Sequence, residues 1–129
     1  MKEYYKVVEL RGNLMRSCIA YHKYCVDYNF RMITTAPVGG LLVFRNLEDA
    51  RNFVKENLNN VLGIIWIIVR GVGSEEIRLP EHRGNCSGDY EHVWNYTFKP
   101  PRIYENSNIL AWPKNTVAVK YFCPVERVY

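Results

Sequence analysis

Residues Ile64-Ile65-Trp66-Ile67-Ile68-Val69 form the most hydrophobic run in the chain and constrain its fold more than any other stretch. The run is far short of the ~20 apolar residues that a bilayer-spanning helix takes, and its β-branched content favours a strand. Side chains alternate along a strand, so Ile64, Trp66 and Ile68 face one way and Ile65, Ile67 and Val69 the other. Both faces are apolar and both must be covered. One cover is a helix; the other is more of this chain or a second copy of it, which makes a homo-oligomer the expected state.

The helix is legible just upstream. Leu41-Leu42-Val43-Phe44 follows the turn residues Val38-Gly39-Gly40 and reads as a short buried strand. Asn46 comes next as a cap whose side chain can accept from the amide of Glu48 or Asp49, and those two acids place negative charge in the first turn. Leu47, Ala50, Phe53, Val54 and Leu58 then recur at helical spacing, opposite Glu48, Arg51, Asn52, Lys55 and Glu56. Asn57, Asn59, Asn60 and Gly63 end the helix.

On either side of this strand–helix–strand unit the pattern is β. Residues 4–10 read as a strand, Arg11-Gly12-Asn13 as a tight turn, and residues 14–21 as the returning strand of a hairpin. Tyr24, Val26, Tyr28, Phe30 and Met32 alternate with Lys23, Cys25, Asp27, Asn29 and Arg31, which predicts a half-buried strand. Thr34-Thr35-Ala36-Pro37 closes it. Residues 71–101 are rich in glycine and proline and predict a long connection with one strand at 93–98. Residues 116–122 read as a terminal strand, with Pro124 marking a sheet edge or a bulge. The expected architecture is α+β: a single, largely antiparallel, twisted sheet of about five or six strands with one main amphipathic helix packed on one face. With 129 residues, 48% of them hydrophobic, the chain makes one domain, residues 1–129.

Chemistry is less distinct. The chain starts without an apolar leader and has no span, so a cytoplasmic protein with no membrane partner is expected. The net charge of +4 is interleaved with 13 acids, which permits an anionic partner without demanding nucleic acid. Cys18, Cys25, Cys86 and Cys123 show no C-x-x-C pairing and are most simply free thiols. His82, Cys86 and His92, with Asp89 between them, form the one cluster of ligand-type residues. Their H-x3-C-x5-H spacing is looser than zinc sites use, and no signature of nucleophilic catalysis surrounds them, so a Cys/His enzyme or metal protein is the alternative reading. Gly71-Val72-Gly73 lacks the third glycine and the helix of a dinucleotide loop, and no cofactor is expected. Glu75-Glu76 reads as a solvated turn. Basic residues intermixed with tyrosines on the first strands suit an anion or a stacked base. The expected ligand-binding positions are Arg16, Arg31 and Arg70, joined by His82, Arg83, His92 and Trp94 from the long connection.

Val38-Gly39-Gly40-Leu41-Leu42-Val43-Phe44, Glu48, Ala50, Phe53 and Trp66, with the Pro113-Lys114-Asn115-Thr116 turn, resemble a pattern of small phage and mobile-element proteins of the Thoeris anti-defence type. Those proteins sequester cyclic ADP-ribose-type signals between subunits. The resemblance implies a non-enzymatic viral or mobile-element protein that engages a host protein or sequesters a small anionic nucleotide. Nucleic-acid binding is a further alternative.

Overall fold

Residues 65–77 and 116–127 each bend once and pair with one another on both sides of the bend, and this closes the sheet on itself. The computed structural model describes residues 2–17, 26–37, 39–58, 64–79 and 114–129. Within them the order is β1 (Lys2–Arg11), β2 (Leu14–Ser17), β3 (Asp27–Tyr28), β4 (Thr34–Thr35), β5 (Leu41–Phe44), α1 (Leu47–Phe53), β6 (Ile65–Gly73), β7 (Glu76–Ile77), β8 (Thr116–Val119) and β9 (Tyr121–Arg127). A wider π-type turn over Val54–Leu58 continues α1. All pairings are antiparallel and run β4-β9-β6-β1-β5-β8-β7, with β2 and β3 added beside β1. Since β7 continues β6 across Ser74 and Glu75, and β9 continues β8 across Lys120, the ladder forms a ring and the sheet rolls into a small barrel.

The α+β class, the single antiparallel sheet and the capped helix agree with the sequence. The strand number does not: among the described residues nine strands replace about five or six, because long segments change partner at the bends instead of running straight. Gly71-Val72-Gly73 lies inside β6, not in a connection, and Glu76 belongs to β7. The alternating stretch 23–32 is described from residue 26 onward, and within that part only Asp27–Tyr28 is a strand. Beyond it Arg31 adopts φ 66°, and its amide donates to the Pro124 carbonyl at 2.8 Å, so the chain turns and the alternation stops mattering. Phe30 and Met32 consequently stand 44% and 60% exposed where a core was expected. The first hairpin is as read, with Arg11 opposite Leu14 and φ 58° at Gly12 alone of the two turn residues, the pattern of a type II′ turn. The expected strand at 93–98 lies outside the described residues.

Two cores flank β6. Tyr5, Val7, Phe44 and Ile68 carry the helix, packing with Ala50, Phe53 and Val54 while Trp66 lies alongside. Asn46 caps the helix by accepting from the Asp49 amide at 3.0 Å. The other face of the same strands points into the barrel, where Tyr4, Val8, Met15, Tyr28, Val43, Ile67, Val69, Val119 and Phe122 fill the interior. The apolar face for which a second copy was one cover is thus filled by the chain itself.

Closure depends on the bend. Ser74 is buried; its hydroxyl accepts from the Lys120 amide at 2.8 Å and the Tyr121 amide at 3.4 Å and donates to the Glu75 carbonyl. Beside it the β6–β9 register skips one residue: Arg70 lies opposite Glu126 but Gly71 opposite Pro124, leaving Val125 as the extra residue of a bulge. Proline is tolerated there as the sequence suggested. Gly71 permits the close approach, since a Cβ on it would press against the Cys123 carbonyl oxygen and lie 2.7 Å from the Phe122 ring and 2.8 Å from the Pro124 Cα. Gly71→Ala is expected to cost about 2–3 kcal/mol of unfolding free energy by overpacking, read from the shift in urea midpoint with the slope unchanged.

Candidate functional site

At one mouth of the barrel the chain leaves an open cleft of about 300 Å³, the lower end of the range for ligand sites. The β1–β2 hairpin, β3 and the loop after it, β6 and β9 all reach it. Leu10, Met15, Tyr28 and Ile67 make an apolar floor, and Asn13, Asn29, Phe30 and Arg127 bring polar and aromatic groups to it. Tyr28 is at once floor and core. Its ring meets Phe122 edge-on at 6.3 Å between centroids, and from within the barrel the Lys6 Nζ stands 5.7 Å from its centroid. Lys6 is itself buried and donates to the Leu42 carbonyl at 2.7 Å. No sequence pattern marked a lysine inside the sheet.

Arg127 is aimed by the bulge. Before it, Phe122 and Pro124 lie opposite Gly73 and Gly71 on the inner face; after the extra Val125, Glu126 pairs with Arg70 outside and Arg127 with Val69 inside. Because the bulge absorbs Val125 instead of pairing it, the positive side chain and not the negative one turns to the cleft. The Arg127 Nε donates to the backbone oxygen of Tyr129 at 3.0 Å, which orients the guanidinium. Tyr129 is held in turn, its backbone bonded to Ile68 and its ring 5.1 Å below the Arg51 guanidinium.

Most other arginines already have acids. Arg11 pairs with the buried Glu9, and Arg16 with Asp27 at 3.0 Å. Arg70 bridges Glu3 and Glu126, both at 2.9 Å, across three adjacent strands. Arg45 grips Glu76 with two nitrogens, at 2.6 and 3.3 Å. Among the described residues, no ion pair occupies Arg31 or Arg127. The Arg31 backbone is anchored to Pro124, immediately after the cleft residues Asn29 and Phe30.

Of the expected binding positions within the described residues, Arg16 and Arg70 are engaged in cross-strand ion pairs, and Arg31 follows the cleft residues Asn29 and Phe30. His82, Arg83, His92 and Trp94 lie outside the described residues, as do Cys18, Cys25 and Cys86; Cys123 is a half-buried free thiol. No protein-family model, curated protein or solved structure matches the chain. Among the described residues no helix is long and apolar enough to cross a membrane.

Arg127 escaped the sequence reading because an arginine near the end of a strand carries no signal until its pairing is known. The Arg11-Gly12-Asn13 turn was legible, but only as a turn.

The acid-paired arginines show in titration. The Arg45 guanidinium holds the Glu76 carboxyl below its ordinary value of 4.5. A carboxyl depressed in the folded state stabilises above its unfolded pKa, and the contribution fades as pH falls through the folded value. Glu76→Gln should therefore lower stability at neutral pH, and the gap from the parent chain should close on acidification below about 4.5, followed by urea unfolding at a series of pH values.

Proposed function

We propose that the protein is a non-enzymatic binding protein that holds a small anionic ligand of the nucleotide kind in the cleft at the barrel mouth. One observation carries the proposal: Arg127 lines an open cleft without an Asp or Glu partner among the described residues, while Arg11, Arg16, Arg45 and Arg70 each have one. An arginine left unneutralised beside a concave, mostly apolar surface is suited to an anion brought from solution. The fixed Nε leaves the two terminal nitrogens to meet it. The resemblance to small phage proteins that sequester nucleotide signals supports the same reading and accords with a viral or mobile-element protein.

A second reading, contact with a host protein, is favoured by the loop beside the cleft. Met32 and Ile33 there are 60% and 66% exposed, next to the partly exposed Phe30. Apolar side chains clustered on a surface loop are suited to a protein partner.

Titration of the isotopically labelled chain with inorganic pyrophosphate, followed through its amide resonances, separates the two. The expected outcome is saturable shifts at Asn13, Asn29 and Phe30. Arg127→Ala should weaken this binding by about tenfold or more, and Arg70→Ala should leave it within about twofold. Equal binding by the Arg127→Ala variant would remove the cleft as the anion site.

A further inference from the structure

Within this reading of the cleft as an anion site, which the inference rests on, the lining residues narrow the ligand further. We infer that the cleft takes one phosphorylated nucleoside, its phosphate on the terminal nitrogens of Arg127 and its base against Phe30, with the Asn13 and Asn29 amides at the base edge. Size, stacking and hydrogen-bond capacity each contribute an argument.

The volume of about 300 Å³ is at the floor of what ligand sites use, so it suits one nucleoside monophosphate and is small for a dinucleotide or a strand. A strand would also call for a basic groove with successive aromatic platforms. Among the described residues two aromatic rings line the cleft, and Phe30 keeps 44% of its surface open to solvent. Tyr28, the other ring, is buried to 2% exposure and serves as floor. An open phenyl ring beside a cleft offers one stacking face, and a planar heterocycle is the group that uses it.

The polar groups divide by chemistry. Arg127 presents charged donors only, which fit the oxygens of a phosphate. Asn13 and Asn29 each offer both a donor and an acceptor, the pairing that a base edge presents and a phosphate does not. The two asparagines come from different elements, the β1–β2 turn and the segment after β3, so the ligand would bridge the hairpin to the rest of the barrel. Among the described residues that line the cleft no carboxylate appears that would repel the phosphate.

Calorimetry on the intact chain tests this with five probes: adenosine 5′-monophosphate, uridine 5′-monophosphate, ribose 5-phosphate, adenosine and inorganic phosphate. At least one nucleotide is expected to bind about tenfold or more tighter than ribose 5-phosphate and than adenosine. Phe30→Ala should bring that nucleotide down to near the ribose 5-phosphate level, and Arg127→Ala should bring it down to near the level of adenosine. Both side chains are at the surface, and unchanged circular dichroism and melting temperature would show that the variants fold. Should one variant fail to fold, Phe30→Leu or Arg127→Gln takes its place and is read the same way.

Ribose 5-phosphate binding as tightly as either nucleotide, with the effect of Arg127→Ala retained, would overturn the nucleoside inference and leave the anion site standing. Adenosine binding as tightly as the nucleotides would overturn the role of the phosphate. No heat with any of the five probes would overturn both this inference and the anion site.

Discussion

The ring of backbone pairing turns on a bend that two chain segments share. At Ser74 and Lys120 the segments 65–77 and 116–127 change direction together, and the Ser74 hydroxyl takes up the amides of Lys120 and Tyr121 that the bend would otherwise leave without strand partners. Without this bend β6 and β9 would continue as a flat pair, and β8 would not reach β5. The interior defined by Tyr4, Val43, Val119 and Phe122 exists because the sheet returns to itself there. The Tyr4 hydroxyl, 3.3 Å from the Ser74 carbonyl, ties the bend to β1, the strand that pairs with both β6 and β5. Helix α1 is secondary to this closure: it covers the outside, and Asn115, at φ 59° in the turn before β8, donates to Asp49 at 2.6 Å and joins its first turn to the barrel.

Charge is distributed by the same geometry. Once strands are placed side by side, arginines that alternate along the chain meet acids across it, as Arg70 does between Glu3 and Glu126. Such exposed pairs contribute little stability each, roughly 0–1 kcal/mol. Their effect on function is larger, because they decide which cations remain for a ligand. Arg16 and Arg70 look as available as any arginine in the sequence; pairing removes them and leaves Arg31 and Arg127 near the barrel mouth.

What could be read from the sequence was what local physics determines. The Asn46 cap, the opposite faces of Ile67 and Ile68, the Gly12 turn and the irregularity at Pro124 all depend on a few neighbouring residues, and all stand in the structure. Alternation from residue 24 to 32 was misleading because one tertiary bond, from the Arg31 amide to Pro124, turned the backbone before Phe30 and Met32 could be buried. Bends were illegible for a related reason: Gly71 and Gly73 look like linker glycines, and only the Cys123 and Tyr121 carbonyls packed against them reveal glycines within a strand. The cleft was illegible because its lining comes from four separated stretches of chain.

The bulge at Val125 makes the sign of the cleft a matter of register. If Val125 kept its place in the alternation instead of being absorbed as the extra residue, Glu126 would stand where Arg127 now does. Composition would not change at all, and the fold would lose one irregularity. The preference of the cleft for anions over cations is therefore decided by how the backbone pairs and not by which residues the strand contains.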